Sequence, residues 1–547
     1  MLHTDPRPFG VMLDVSRNAV MTVPRIKEYV ARLHKFGYNT LMLYTEDTYE
    51  IEGEPYFGHK RGRYSVEELR EVVAFCTGLG VEVIPCIQTL AHLATIFRWP
   101  CYKEILDVDD ILMIDDQRTY ALIEKMFATL RKIFPGRRIH IGMDEAAHVG
   151  LGNFLNKNGY EDRYSLLSRH LKRICAIAKE YDFEPMLWGD MFLRLVNGGK
   201  YVLLQEPNVP SPEQLDLPEE VSLVYWDYYD TRKKHYDTLL AAFEKLGRPF
   251  WFAGGAWGWA SFAPDNAFSL RHARAAMEAC REKPPVGTFV TLWGDDGGEC
   301  SFHALMPALF AWAAFYRGEA DMNQIKAEFE AEFGIPFDDF CLLDIRRPQE
   351  GVTRNDGAIN NPEKYLLYND PFLGLCDSAL MGGEGEFYAR RAEALTPWCE
   401  HPQYGALFRE ARALCRVLSV KAELGVRTRA LYKNGATAEQ WSALLADYDK
   451  AGALLSEFID AFRALWLEDN KPFGLEIHEI RLGGLLTRLS FCRKRLAEHA
   501  EKGTAIAELE EESLDLMGGG TKMGAKALRF PLWKNMISPN RMAEHNM

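Results

Sequence analysis

The eleven cysteines of this chain include no Cys-x-x-Cys pair, which removes the common zinc-ribbon and redox motifs. No apolar run approaches the roughly 20 residues that a membrane helix needs. The opening residues hold no basic stretch followed by an apolar one. Positive charge is also scarce: the formal net charge is -14 over 547 residues, a field that repels phosphate backbones and argues against nucleic acid as a partner. No Gly-x-Gly-x-x-Gly turn follows the first β-type run, so the open dinucleotide-binding sheet lacks its main signature. These absences lead us to expect a reduced, cytoplasmic chain with no membrane or nucleic-acid partner, no cofactor and no metal, acting on a neutral or cationic small ligand.

What is present is ample core material, with 47% hydrophobic residues, enough for one large α/β domain and a second unit. Over residues 8–317, short β-rich runs alternate with amphipathic stretches. Eight strands are expected: Phe9–Val15, Asn39–Tyr44, Glu82–Ile87, Arg138–Met143, Pro185–Trp188, Val221–Trp226, Pro249–Ala253 and Thr288–Trp293. Eight βα units close a (β/α)8 TIM barrel, whose site lies at the carboxyl ends of its strands. The expected division is a barrel over residues 1–320 and a mostly α-helical C-terminal domain over 321–547. Within the second unit, Asn355–Gly385 reads as irregular, Tyr404–Asn434 as one helical stretch, and Met517–Gly520 as a flexible turn rather than a phosphate loop.

The expected strand ends are rich in polar and aromatic residues. They carry Asp14 to Arg17, Glu46-Asp47, Gln88 to His92, Asp144-Glu145, Trp188-Gly189-Asp190, Trp226 to Tyr229, Gly254 to Trp259, and Trp293 to Asp296. Indole faces stack on the apolar faces of pyranose rings while carboxylates bind hydroxyls, so this mouth suits a sugar. The pair Asp144-Glu145 has two readings by itself, either the acidic first turn of a helix or acid chemistry at a strand end. The other seven strand ends favour the second. Alternation along a strand would put His140, Gly142 and Asp144 on one face.

These residues resemble glycoside hydrolase family 20, the β-N-acetylhexosaminidases, and in particular its shorter hexosaminidase D type. The family signature His-x-Gly-x-Asp-Glu stands here as His140-Ile-Gly142-Met-Asp144-Glu145. Further matches follow in order: Asp14-Val-Ser16-Arg17, Asp47, His92, Trp188, Trp226 and Trp293-Gly294-Asp295. The resemblance covers about the first 320 residues and is not expected to reach the helical unit. Two positions depart from the family. Where many members have a Tyr that binds the acetamido oxygen, this chain reads Gly254-Gly255-Ala256-Trp257-Gly258-Trp259; Tyr228 could supply that hydroxyl. Asp295 stands where longer members commonly have Glu.

The resemblance implies an exo-acting, retaining enzyme that releases a terminal β-linked N-acetylglucosamine or N-acetylgalactosamine from a small glycan or glycoconjugate, with a tilt toward galactosaminides. In the family's substrate-assisted mechanism the 2-acetamido oxygen attacks carbon 1 and forms an oxazolinium. Glu145 would protonate the leaving oxygen and later activate water, which calls for enclosed surroundings that hold its proton near neutral pH. Asp144 would stay ionised and orient the acetamido N–H. Arg17, Asp47 and Asp295 would grip non-reacting hydroxyls, His92 and His140 would orient the acids or the substrate, and Trp188, Trp226 and Trp293 would wall the pocket. Trp257 and Trp259 read as subsite or lid residues.

Two alternatives belong to other classes. The spacing Glu145-Ala-Ala-His148 would suit a metal-dependent barrel hydrolase, and a non-catalytic carbohydrate-binding barrel would share the aromatic mouth. The helical unit would shape the leaving-group side, pack beside the mouth or mediate a homodimer.

Overall fold

The computed structural model describes residues 7–201, 205–347, 361–514, 516 and 538–540. Eight parallel strands close into one barrel in sequence order. They are β1 Phe9–Asp14, β2 Thr40–Tyr44, β3 Glu82–Cys86, β4 Arg138–His140, β5 Glu184–Trp188, β6 Ser222–Trp226, β7 Phe250–Gly255 and β8 Thr288–Leu292. Closure comes from β8 returning to β1, with Phe9 opposite Thr288 and Leu13 opposite Leu292, so no backbone edge is left unpaired. Every residue of β1 and β7 is buried, as befits parallel strands covered on both faces.

The surrounding helices carry the signals that start and stop them. Val23–Lys35 has a proline in its first turn and Arg32, His34 and Lys35 in its last, which matches both the missing N–H of proline and the helix dipole. Val66–Gly78 opens with a reciprocal capping box between Ser65 and Glu68, satisfying two otherwise orphan amides. Met306–Tyr316 is buried continuously from Met306 to Phe315. It packs against Asn266–Glu282 and Met322–Phe333, and Trp312 fills the space over Gly254, where a Cβ would lie 2.2 Å from the indole.

Beyond the barrel, Gly405–Lys421 packs between Glu384–Leu395 and Ala438–Asp469, and the last of these pairs with Leu475–Lys502. This helical unit reaches the loop after β1, where Thr22 N–H donates to Asp469 O (2.9 Å) and Lys471 N–H to Val20 O (2.8 Å). Among the described residues no helix is long and apolar enough to cross a membrane.

Three local expectations change. The stretch Tyr404–Asn434 is two helices, Gly405–Lys421 and Leu424–Asn434, because the intervening Glu423 turns its carboxylate onto the Gly383 (2.7 Å) and Glu384 (3.2 Å) amides. The described part of Asn355–Gly385 includes a buried helix, Pro362–Tyr368, whose Glu363 and Lys364 hid its buried character from a hydropathy reading. The strand expected to run to Met143 ends at His140. The proposed turn Met517–Gly520 lies outside the described residues.

Candidate active site

The fourth strand stops early because the chain after it turns left-handed. Gly142, Met143 and Glu145 have φ of +72°, +71° and +53°, a region that costs a non-glycine residue about 1–3 kcal/mol and clusters at functional sites. Alternation therefore does not set the directions of Asp144 and Glu145; the turn does. Its template is Gln88, fully buried after β3, whose Oε1 accepts the Met143 N–H (3.2 Å). The Gln88 amide donates to Asp144 Oδ1 (2.8 Å) and to the Tyr44 hydroxyl (2.9 Å). A Cβ on Gly142 would lie 2.0 Å from Gln88 Oε1, so only glycine lets the two approach. Glu46 and His92, at the ends of β2 and β3, also have positive φ, +44° and +56°.

Asp144 and Glu145 open into one cleft of about 520 Å³, including solvent at its mouth. Arg17, His92, Trp188, Trp226, Tyr228, Tyr229, Trp259, Trp293 and Asp295 complete its lining. His92 Nε2 stands 3.1 Å from Asp144 Oδ2 and 3.9 Å from Glu145 Oε2. His92 thus meets Asp144 as a close ion pair. Burial disfavours the imidazolium, but the Asp144 carboxylate outweighs burial and lifts His92 to about 10. Burial likewise disfavours the Asp144 carboxylate, yet His92 and the Gln88 amide bring it down to about 2. Asp144 is thus held ionised at neutral pH.

Glu145 is less enclosed than its expected role suggested. Its side chain is 50% exposed, and Oε1 pairs with Arg194 at 3.1 Å. Behind it, Asp190 accepts the Glu145 N–H (3.3 Å) and the Arg194 Nε–H (2.9 Å). Burial, reinforced by the Asp144 charge, pushes Asp190 up to about 7. Arg194 also lies near the Tyr201 and Trp226 rings, 5.8 and 5.9 Å from their centroids.

Across the mouth, Asp14 orients Arg17 through a 2.9 Å ion pair and accepts the Gly294 N–H at 2.9 Å. Arg17 Nε reaches Glu46 (3.3 Å), and its guanidinium sits over Tyr44 and Trp293. Asp295 is exposed in the open cleft. The protein around it raises its pKa above the usual carboxylate range, Arg17 opposes that rise, and Asp14, Asp296 and Glu145 add to it; access to solvent tempers the effect. The aromatic wall is built in stacked pairs: Trp226 on Tyr228 (5.3 Å) and Trp257 on Trp259 (3.9 Å).

Two expected site residues are not brought into the cleft. His140 is fully buried beneath it, accepts the Gly142 N–H at Nδ1 (3.1 Å), and packs on Trp188. Burial lowers it to about 3, so it is a neutral support for the left-handed turn. Asp47 is buried against Arg61 (3.3 Å), and Arg61 ties it to Asn18 and Ser16. Glu46, on its left-handed backbone, instead backs the site from behind Arg17 (3.3 Å) and accepts the Tyr44 hydroxyl (3.1 Å). Gln88, Glu46, Asp190, Arg194 and Tyr229 complete or back the site without belonging to any motif in the sequence. Each stood at a strand end or just beyond one, and that position was the only available signal. The metal-type pair also separates, since His148 pairs with Asp109 at the surface (2.8 Å) while Glu145 faces Arg194. Among the described residues no group of three or more His, Cys, Asp or Glu side chains is arranged to hold a metal ion.

A closed parallel barrel whose mouth joins paired acids, an arginine and a wall of indoles defines a barrel glycoside hydrolase. The chain belongs to glycoside hydrolase family 20. The family's catalytic-domain model matches residues 9–236, and the Glycoside Hydrolase 20C C-terminal domain matches residues 338–527. The likeness therefore extends into the helical unit, contrary to expectation. Among curated proteins, the chain is 25% identical to Hexosaminidase D of Bos taurus over 280 residues, 49% of this chain and 75% of that protein. It is 25% identical to Hexosaminidase D of Homo sapiens over 276 residues, 48% of this chain and 54% of that protein. A solved β-N-acetylhexosaminidase from Bacteroides fragilis is 19% identical with a TM-score of 0.46, covering 60% of this chain and 69% of that one.

Proposed function

We propose that this glycoside hydrolase is an exo-acting, retaining β-N-acetylhexosaminidase that releases terminal β-linked N-acetylglucosamine or N-acetylgalactosamine with help from the substrate's own acetamido group. One observation carries the reading: Asp144, held ionised by His92 and Gln88, is joined by one peptide bond to Glu145, which opens into the same cleft. A two-carboxylate retaining enzyme needs its acids on opposite sides of the anomeric carbon, about 5 Å apart. Adjacent residues on one turn suit a different division of labour.

Glu145 donates the proton to the leaving oxygen and later takes one from water, from the solvent-open side where Arg194 holds it. Asp144 accepts the acetamido N–H and offsets the positive charge of the oxazolinium as it forms. Tyr228 offers a hydroxyl toward the acetamido oxygen. Trp188, Trp226 and Trp293 wall the acetamido methyl and the ring face. Arg17 and Asp295 bind the hydroxyls remote from the reacting bond, and the shorter reach of Asp295 sets how carbons 4 and 6 are held. We also propose a reducing, cytoplasmic setting, supported by eleven unpaired cysteines.

Initial rates on paired aryl β-N-acetylglucosaminide and β-N-acetylgalactosaminide, beside the matching glycosides without the acetamido group, test this proposal. Turnover of the N-acetyl pair alone, with inhibition by a thiazoline analogue of the oxazolinium, is expected. Equal hydrolysis of the glycosides that lack the acetamido group would overturn the mechanism. A Glu145→Gln variant working at the parent rate would overturn the acid assignment.

A further inference from the structure

We infer that the helical unit is a working part of the sugar pocket, with the buried Lys364 as a positioning residue for the loop that carries Asp295. The inference rests on the proposed hexosaminidase reading for what the pocket binds, and on geometry for the clamp itself.

The loop Gly294–Glu299 follows β8 and presents Asp295 to the cleft. Its other two acids point away. Asp296 Oδ2 meets Lys364 Nζ at 2.9 Å, and Glu299 meets the same ammonium. Lys364 lies on Pro362–Tyr368 and its side chain is 0% exposed. Arg481, on Leu475–Lys502, donates to the Asp296 carbonyl (2.6 Å) and lies 3.4 Å from Glu299. His478, one turn earlier, donates its Nε2–H to the Gly297 carbonyl (2.8 Å). That imidazole is wedged between Phe462 and Trp466 of Ala438–Asp469. Burial keeps it neutral by lowering it to about 4.

The loop backbone has no slack against these partners. Gly297 and Gly298 have φ of +115° and +71°. A Cβ on Gly297 would lie 3.0 Å from the His478 ring, and one on Gly298 would lie 2.4 Å from Ala19. The Arg17 loop is held from the same side, since a Cβ on Gly474 would lie 2.6 Å from Asn18 Cβ. Arg17 and Asp295, which line the cleft across from the reacting acids, therefore belong to loops whose outer faces rest on the helical unit. A merely appended domain would need contacts only with the outer helices. This one spends a buried cation and a buried imidazole on a strand-end loop.

The test uses the full chain. Lys364→Met alone strands two carboxylates in the interior, which can unfold the protein. The charge-balanced pair Lys364→Met with Glu299→Gln removes the clamp without changing net charge, and Arg481→Gln, at a partly exposed position, is the second variant. Amide exchange over Gly294–Gly298 should speed up by about tenfold or more in either variant, as expected when a local opening becomes easier. KM for the N-acetyl glycosides should rise about tenfold while kcat moves less than about threefold, the signature of lost binding remote from the reacting bond. The glucosaminide-to-galactosaminide ratio of kcat/KM should shift as well. Unchanged exchange in a folded variant refutes the clamp. Faster exchange with unchanged KM and unchanged sugar ratio refutes the positioning role. A parent inert toward both glycosides would instead remove the proposed function, and exchange would still decide the clamp.

Discussion

Replacing Asp144 with Asn exchanges one oxygen for an amide nitrogen and removes a full charge from the site. The carboxylate is only 13% exposed, so bulk water does not govern its interactions, and an effective dielectric near 20 is appropriate. A developing positive charge at van der Waals distance, about 4 Å, then gains about 4 kcal/mol from it. Each ~1.4 kcal/mol is a factor of ten in rate. Asp144→Asn should therefore lower kcat about 10³-fold on an aryl β-N-acetylglucosaminide, with KM moving less than about tenfold. A second readout comes from His92. With Asp144 gone, burial acts on the imidazolium with little opposition, so its titration, followed by NMR, should fall from about 10 to the ordinary histidine range or below. A loss in kcat smaller than about tenfold, or a His92 that still titrates near 10, would refute the electrostatic reasoning.

Three further outcomes follow from the same structure. Gly142→Ala drives a methyl toward Gln88 and the Ile87 carbonyl, 2.0 and 2.9 Å from a Cβ, at a positive φ; activity should fall by about a hundredfold or more, as a displacement near 1 Å does, with a lowered thermal midpoint. The Asp144–His92 pair gives a window of stability: a depressed carboxylate stabilises above its unfolded value of 3.8, and a raised imidazole stabilises below its unfolded value of 6.5. Its contribution should be full between about pH 4 and 6.5, then decline as pH rises through about 10 or falls through about 2, when parent and Asp144→Asn are compared by urea denaturation. Glu410 sits in a small crevice between barrel and helical unit, lifted by burial from 4.5 to about 8. A raised carboxylate loses stability as pH climbs from its unfolded to its folded value, so Glu410→Gln should gain on the parent across that window by up to ~5 kcal/mol; equal urea midpoints at pH 5 and pH 8 would contradict this.

The eight strands were legible because each is a short apolar run bounded by turn residues, and Val23–Lys35 could be bounded from its proline and its terminal basic residues alone. The acid pair and most of the indole wall were legible because a closed barrel fixes where strand ends go. Direction was not legible. A strand's alternation holds only while its backbone stays extended: left-handed residues at Glu46, His92, Gly142, Met143 and Glu145 break it, Glu46 rather than Asp47 meets Arg17, and His140, the last residue of the fourth strand, lies beneath the cleft.

The sequence by itself thus determined the barrel, the order of chemistry around its mouth and the identity of the two adjacent acids, since periodicity and motif spacing are local properties. Only the tertiary structure decided which partners charge them. Gln88 is 55 residues from Met143 along the chain, Arg194 is 49 from Glu145, and Lys364 is 65 from Glu299. Electrostatic interaction depends on distance through space and on burial, and neither can be read from chain order.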